Sequence, residues 1–232
     1  DYVTDPDRPT VLMRSRFEPL GKQDERNYRV YVRFDPTLNG NGGGGAGNGG
    51  ADSGDIAEAG GETLLVGSDP VTETNAANRD YAVPVHSALN ASRPFLEVSN
   101  GFAGQDSDGL TQLDANRELT ERFAQASQGN LVQTARIDLG RDGSFELALG
   151  FGESRAAAVG ATRRTLGARF DSLEREYARG WHAYDAKLEK PRRPKGISAG
   201  RWSDLVAEYY LSANYVKAAE DKTFPGAVAA AL

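Results

Sequence analysis

The chain has 232 residues, of which 39% are apolar and 26% are charged, as in an ordinary globular protein. Its net charge of −6 argues against a nucleic-acid-binding protein, which would concentrate positive charge. Cysteine is absent, which excludes disulfides and thiolate chemistry, and two histidines are too few for a His-rich metal site. No apolar run approaches the length needed to span a bilayer.

Two alternating segments open the chain. In residues 10–17, Val11, Met13 and Phe17 fall on one face, and residues 27–35 repeat this period of two. Such a period indicates strands with one buried face. The short polar segment between them predicts an antiparallel hairpin. Residues 1–4 read as the middle of a strand, so we expect further chain before Asp1.

A glycine-rich run occupies residues 40–50. A phosphate-binding loop would need a preceding strand, a following helix and a Lys-Ser/Thr pair at its end, and none of these is present. The composition instead favours a flexible loop, and we expect residues 40–55 to be mobile and dispensable.

Short strand-like segments then follow at close intervals. They are residues 62–68, 80–89, 95–102, 109–113, 118–124, 131–139 and 144–151. Turn signals separate them, and Asp142-Gly143 is typical of a hairpin. Many short strands without intervening helices predict an antiparallel sandwich or barrel.

The period changes to that of a helix at Glu153. Apolar residues from Leu166 to Leu188, including Phe170, Tyr177 and Trp181, recur at steps of three and four. Gly167 is expected to divide this stretch into two helices. Residues 191–196 then read as an exposed linker. Ser203 is predicted to cap a last helix whose buried stripe contains Leu205, Tyr209, Ala213 and Val216.

Several segments resemble a known family. Residues 216–227, VKAAEDKTFPGA, are similar to the start of the catalytic domain of bacterial and archaeal glucoamylases and glucodextranases, which belong to glycoside hydrolase family 15. Residues 31–36, 75–81 and 147–152 resemble its N-terminal sandwich, and residues 177–181 resemble its linker helix. The resemblance covers nearly the whole chain.

This resemblance implies a mainly β fold. It implies an antiparallel β-sandwich of the supersandwich type over residues 1–152, without its first strands. A helical linker would occupy residues 153–202. Residues 203–232 would contain the first helix of a catalytic (α/α)6 barrel. Members of the family invert configuration while releasing glucose from the non-reducing ends of α-glucans, using one carboxylate as general acid and another as base. Both carboxylates follow the segment that corresponds to residue 232, so we assign no catalytic, cofactor-binding or metal-binding residue here.

The other carboxylates considered are expected to have structural roles and not catalytic or metal-binding ones. Glu220 and Asp221 are neighbours on a helix and cannot face one substrate. A calcium site at Asp35, Asn39 and Asn41, or at Asp138 and Asp142, is a weaker alternative to turn chemistry, because neither group has the spacing of a calcium loop.

The remaining candidates are three ring side chains. His86 lies in a predicted strand and is expected to be a hydrogen-bonded structural residue. Trp181 and Trp202 could stack on sugars, but both lie in or beside helical stripes, so packing is expected.

The sequence thus predicts the ancillary part of an α-glucan hydrolase, inactive without its barrel and secreted, as the family implies. The rival interpretation is a stand-alone carbohydrate-binding or structural sandwich. The apolar residues 227–232, which need a packing partner, favour the first, and we expect the chain to continue into the barrel. The expected partners are the α-glucan and the barrel, with no nucleic acid and no membrane.

Overall fold

The computed structural model describes residues 1–21, 28–38, 52–69, 84–220, 224 and 226–228. The chain divides into two compact units, Asp1–Glu174 and Arg175–Leu232. The domain limits expected from the sequence, 1–152, 153–202 and 203–232, remain predictions.

The first unit contains two antiparallel sheets. Within the described ranges the strands are β1 Tyr2–Thr4, β2 Thr10–Arg16, β3 Val30–Phe34, β4 Asp52–Ala59, β5 Glu62–Asp69, β6 Val85–Ala91, β7 Phe95–Phe102, β8 Gln125–Gly129, β9 Leu131–Ile137 and β10 Ser144–Gly152. The larger sheet has the order β1-β2-β10-β6-β5-β4-β8, and the smaller sheet has the order β3-β9-β7. The mainly β antiparallel architecture predicted from the alternation is confirmed.

The main core lies between the two sheets. Alternate residues of β5, β6 and β10 on the larger sheet meet those of β7 and β9 on the smaller sheet, with Leu65, Leu89, Val98, Ile137 and Leu147 in one cluster. Period-two patterning places these side chains on the facing surfaces. Hydrophobic burial across this interface is the main stabilising contribution to the sandwich.

Four helices lie in the described residues: α1 Gly109–Asn116, α2 Arg155–Leu166, α3 Phe170–Asp185 and α4 Ala199–Ala218. Gly167 ends α2, so the predicted division of the helical stretch at this residue is confirmed. No helix within the described ranges is long and apolar enough to cross a membrane.

Helix α2 and the first residues of α3 cover part of the outer face of the larger sheet. Phe170 and Leu173 at the start of α3 pack on Val3, Leu12 and Ala148. Ala158 of α2 joins a second cluster of small and aliphatic side chains from β4, β5 and β6. The sandwich alone therefore buries the beginning of the aromatic stripe that the sequence shows.

Close approach of α2 to the sheet depends on Gly150 in β10. A Cβ atom at this position would lie 2.3 Å from the Oγ1 of Thr162. Thr162 is fully buried, and its Oγ1 donates to the carbonyl oxygen of Ala88, 3.0 Å away, or to that of Ala158, 2.9 Å away. Any larger residue at position 150 would push the helix from the sheet.

A buried carboxylate, Asp5, ties the β1–β2 connection to α2. Its Oδ2 accepts from Thr165 Oγ1 at 2.6 Å and from the Arg8 guanidinium at 2.7 Å, and its Oδ1 accepts from the Asp7 N–H at 2.9 Å. Burial alone would raise the pKa of Asp5, but these hydrogen bonds outweigh it and hold the pKa below its usual value.

Both predicted hairpins are wrong. Strands β2 and β3 lie in different sheets, and so do β9 and β10, which Asp142-Gly143 was expected to join directly. The 138–143 connection crosses between sheets, and Gly143 adopts a positive φ of 66° where a Cβ would lie 2.2 Å from the Phe17 carbonyl oxygen. Alternation marks a strand but does not say which sheet it joins.

The predicted strand over residues 109–113 is also wrong, because helix α1 occupies this position. Asp108 caps the helix by accepting from the Leu110 N–H at 2.9 Å. Residues 118–124 form no strand, and strand β8 follows them instead. Ser198 rather than Ser203 caps α4, accepting from the Arg201 N–H.

The expectation for residues 40–55 is wrong at its end. Asp52 to Asp55 begin strand β4, and Asp52 is fully buried. The glycine-rich run at 40–50 lies outside the described residues.

Candidate functional site

Glu220, one of the two neighbouring carboxylates considered for catalysis, is engaged in local structure. Its Oε2 forms an ion pair with Lys217, and its Oε1 accepts from the Gly226 N–H at 2.8 Å. Residue 220 also pairs with residue 228 in an isolated antiparallel bridge. These contacts are those of a helix end, while Asp221 lies outside the described residues.

The carboxylates weighed for calcium make turn and surface contacts. Asp35 pairs with Arg33 at 2.8 Å, and Asn39 and Asn41 lie outside the described residues. Asp138 accepts from the Gly140 N–H at 2.9 Å, and Asp142 accepts from the Ser144 N–H at 3.3 Å. Within the described ranges, no group of three or more His, Asp or Glu side chains is arranged to hold a metal ion.

The three ring side chains lie in elements of the predicted type. Trp181 in α3 contacts Tyr177 and Tyr184 edge to face, with centroids 6.1 and 6.2 Å apart, and Trp202 lies in α4. His86 lies in β6 as expected, but its buried Nδ1 makes no hydrogen bond to any described residue. The expectation of a hydrogen-bonded histidine is therefore not met at this nitrogen.

A buried acidic pair lies at one end of the sandwich core, and sequence reasoning missed it. Ser53 and Ser68 are cross-strand partners, which brings Asp52 and Asp69 to the same end of the β4–β5 ladder, 0% and 5% exposed. Asp52 Oδ2 accepts from the Leu38 N–H at 3.2 Å, while its buried Oδ1 has no partner among the described residues.

Asp52 differs from an exposed carboxylate in its protonation. Burial, together with the charge of Asp69, raises the pKa of Asp52 to about 7, and the Leu38 N–H opposes this shift only in part. Asp52 follows the glycine-rich run directly, so no sequence signal separated it from a solvated loop.

The second unit exposes apolar side chains on its last helix. α4 completely buries none of its side chains, and Leu211, Tyr215 and Val216 are 70%, 78% and 55% exposed. Leu211 and Tyr215 are one helical turn apart and share a face. A cluster of this kind is typical of a surface that another protein segment covers.

Comparisons with known proteins agree with one another. The family described as glucodextranase, domain N, matches residues 1–186. A glucoamylase from Clostridium sp. strain G0005 is 30% identical over all 232 residues, which span 28% of its length. A crystal structure of a bacterial glucoamylase complexed with acarbose matches 96% of this chain and 28% of its own, with a TM-score of 0.75 and 26% identity.

A more distant similarity concerns the fold alone. A family GH92 inverting mannosidase from Bacteroides thetaiotaomicron superposes with a TM-score of 0.52 at 12% identity, over 79% of this chain and 20% of its own. The sandwich thus recurs in another class of glycosidase. Because the family match spans most of the chain, and because a glucoamylase structure agrees in sequence and in fold, the chain belongs to the glucodextranase N-domain family.

Proposed function

We propose that this chain is the ancillary part of an inverting, exo-acting α-glucan glucohydrolase of the glucodextranase or glucoamylase type. One observation carries the proposal: similarity to a glucoamylase extends beyond residue 186, where the N-domain family match ends, through residue 232. Both the sandwich and the helices of the second unit thus have counterparts in a glucoamylase.

The chain's role in this proposal is structural support for a catalytic barrel. Residues 1–152 form the sandwich, residues 153–202 link it to the barrel, and residues 203–232 supply the first barrel helix. Exposed Leu211 and Tyr215 support this role, because an outer helix of a barrel packs its apolar face against neighbouring helices. The general acid and base reside in the barrel and act on the α-glucan there.

We also propose that the enzyme acts outside the cell. The support for this location is the relationship to glucoamylases, a group of enzymes that are often secreted.

The alternative function is a stand-alone carbohydrate-binding or structural sandwich. The recurrence of the sandwich in another glycosidase class is compatible with a portable module. The similarity of residues 187–232 to a glucoamylase favours the enzyme, because a module would not need the second helical unit.

The first test is hydrolysis by the 232-residue chain itself. We expect no glucose release from starch, dextran or maltose, because the acid and base of the proposed reaction lie outside these residues. Glucose would be quantified enzymatically against a buffer control. Release above that control, abolished by a point substitution within the chain, would contradict the proposed division of labour.

A further inference from the structure

The outer face of the larger sheet is only partly covered. Helix α2 packs mainly on β10 and β6, and a cleft of about 290 Å³ lies beside its first turn. We call it the β4–β8 cleft. Its apolar lining residues are Gly54, Val66 and Ala126, and its polar lining residues are Ser53, Asp55, Ser68, His86, Gln125, Ser127 and Arg155. The volume is at the lower end of the range for small-molecule sites.

The positions of these residues follow from the strand register. Ser53 and Asp55 alternate with Asp52 and Gly54, so they face away from the sandwich core. Ser68 pairs with His86 across β5 and β6, and Asp55 pairs with Gln125 across β4 and β8. Four neighbouring strands thus present hydroxyl, amide and imidazole groups on one surface.

The charged groups of the cleft compensate each other. The Arg155 guanidinium, 48% exposed, forms an ion pair with the Asp55 carboxylate, so its positive charge is balanced locally. Burial, and secondarily the charge of Arg155, lowers the pKa of His86, which keeps the imidazole neutral near pH 7. A neutral imidazole offers one donor and one acceptor.

His86 lines the cleft with part of its ring. Its Nδ1 is buried and makes no hydrogen bond to any part of the chain that the structure describes. Because this nitrogen is closed to solvent, a ligand in the cleft would bond the other ring nitrogen, which in a neutral imidazole supplies one donor or one acceptor.

A cleft that is locally neutral and contains both donors and acceptors matches an uncharged polyhydroxyl compound better than an anion or a cation. We propose that the β4–β8 cleft is a non-catalytic subsite that binds one glucosyl unit of an α-glucan. The choice of a glucosyl unit rests on the proposed function. Hydroxyl groups of the sugar would bond the Arg155–Asp55 pair and His86. The described residues of the lining include no Phe, Tyr or Trp on which a sugar ring could stack, so we expect binding to be weak and specific to the sugar's hydroxyls.

The test is saturation-transfer difference NMR on the 232-residue chain, with maltotriose as the probe. We expect transfer to the glucosyl protons, and a Kd raised by roughly tenfold in His86→Ala and in Arg155→Ala, since each loses a polar partner. Arg29→Ala is the matched control, because it removes an exposed ion pair with Glu118 elsewhere on the sandwich and should leave binding unchanged. Circular dichroism would verify that each variant is folded.

Three outcomes would overturn the proposal: no transfer to maltotriose, equal transfer in both cleft variants and wild type, or tighter binding of inorganic phosphate than of maltotriose. The proposed hydrolase is tested separately. If the proposed full-length hydrolase releases glucose while this chain does not bind maltotriose, the cleft assignment fails and the hydrolase proposal stands. If the chain binds maltotriose but the full-length protein has no hydrolase activity, the hydrolase proposal fails and the cleft assignment stands.

Discussion

Asp52→Asn should stabilise the protein at neutral pH by roughly 3–4 kcal/mol. The folded-state pKa of Asp52 is about 7, against 3.8 for an ordinary aspartate. Between these values the unfolded chain loses the proton while the folded protein keeps it, so stability falls by about 1.4 kcal/mol per pH unit. Asparagine keeps the side-chain shape and carries no charge, which removes this loss.

The stabilisation by Asp52→Asn should depend on pH. Below about pH 4 the carboxyl is protonated in both states, so Asp52→Asn and wild type should be similarly stable. As the pH rises towards 7, the free energy of unfolding of wild type should fall increasingly below that of Asp52→Asn. Urea unfolding at several pH values would measure this.

Asp55→Asn is the matched control for this substitution. Asp55 lies on the same strand but faces outward, where it pairs with Arg155. Loss of a surface ion pair should change stability by at most about 1 kcal/mol, in the opposite direction. If the free energies of unfolding of wild type and Asp52→Asn depended on pH in the same way, Asp52 would not have the raised pKa that its burial implies.

Asp5→Ala should destabilise the protein by about 3 kcal/mol at pH 7, because it removes the acceptor of three hydrogen bonds around a fully buried carboxylate. Thr165, also fully buried, would lose the acceptor of its hydroxyl. The measurement is again urea unfolding, at pH 7 and at pH 3.

The pH dependence of Asp5 is opposite to that of Asp52. Its folded-state pKa lies below 3.8, so its contribution is present above about pH 4 and is lost as the pH falls through the folded-state pKa. The difference in free energy of unfolding between wild type and Asp5→Ala should therefore become smaller at acidic pH. Asp7→Ala, at an exposed neighbouring side chain, should stay within about 0.5 kcal/mol of wild type, and an equal loss there would refute the role of Asp5.

The elements with strong periodic patterns could be predicted from the sequence. β2 and β10 follow a period of two, and α3, after Gly167, follows the helical period. Both patterns record the burial of one face, which is a local property of a strand or helix.

What the sequence could not predict depends on contacts between distant segments. β4 has Ile56 as its one large apolar residue, and it becomes a strand because β5 and β8 pair with it on either side. The cleft beside α2 likewise requires four strands in register. The sequence predicts a loop at Asp52, because charged side chains are rarely buried. In the structure the pairing of β4 with β5 buries this carboxylate completely.

The decisive experiment for the proposed function follows the anomer of glucose formed by the proposed full-length hydrolase that would contain this chain. With maltoheptaose as substrate, proton NMR at early times distinguishes the two anomers before they equilibrate. We expect β-glucose to appear first, because an inverting enzyme places water on the face opposite the α-linkage. No release of glucose, or α-glucose as the first product, would exclude an inverting α-glucan hydrolase.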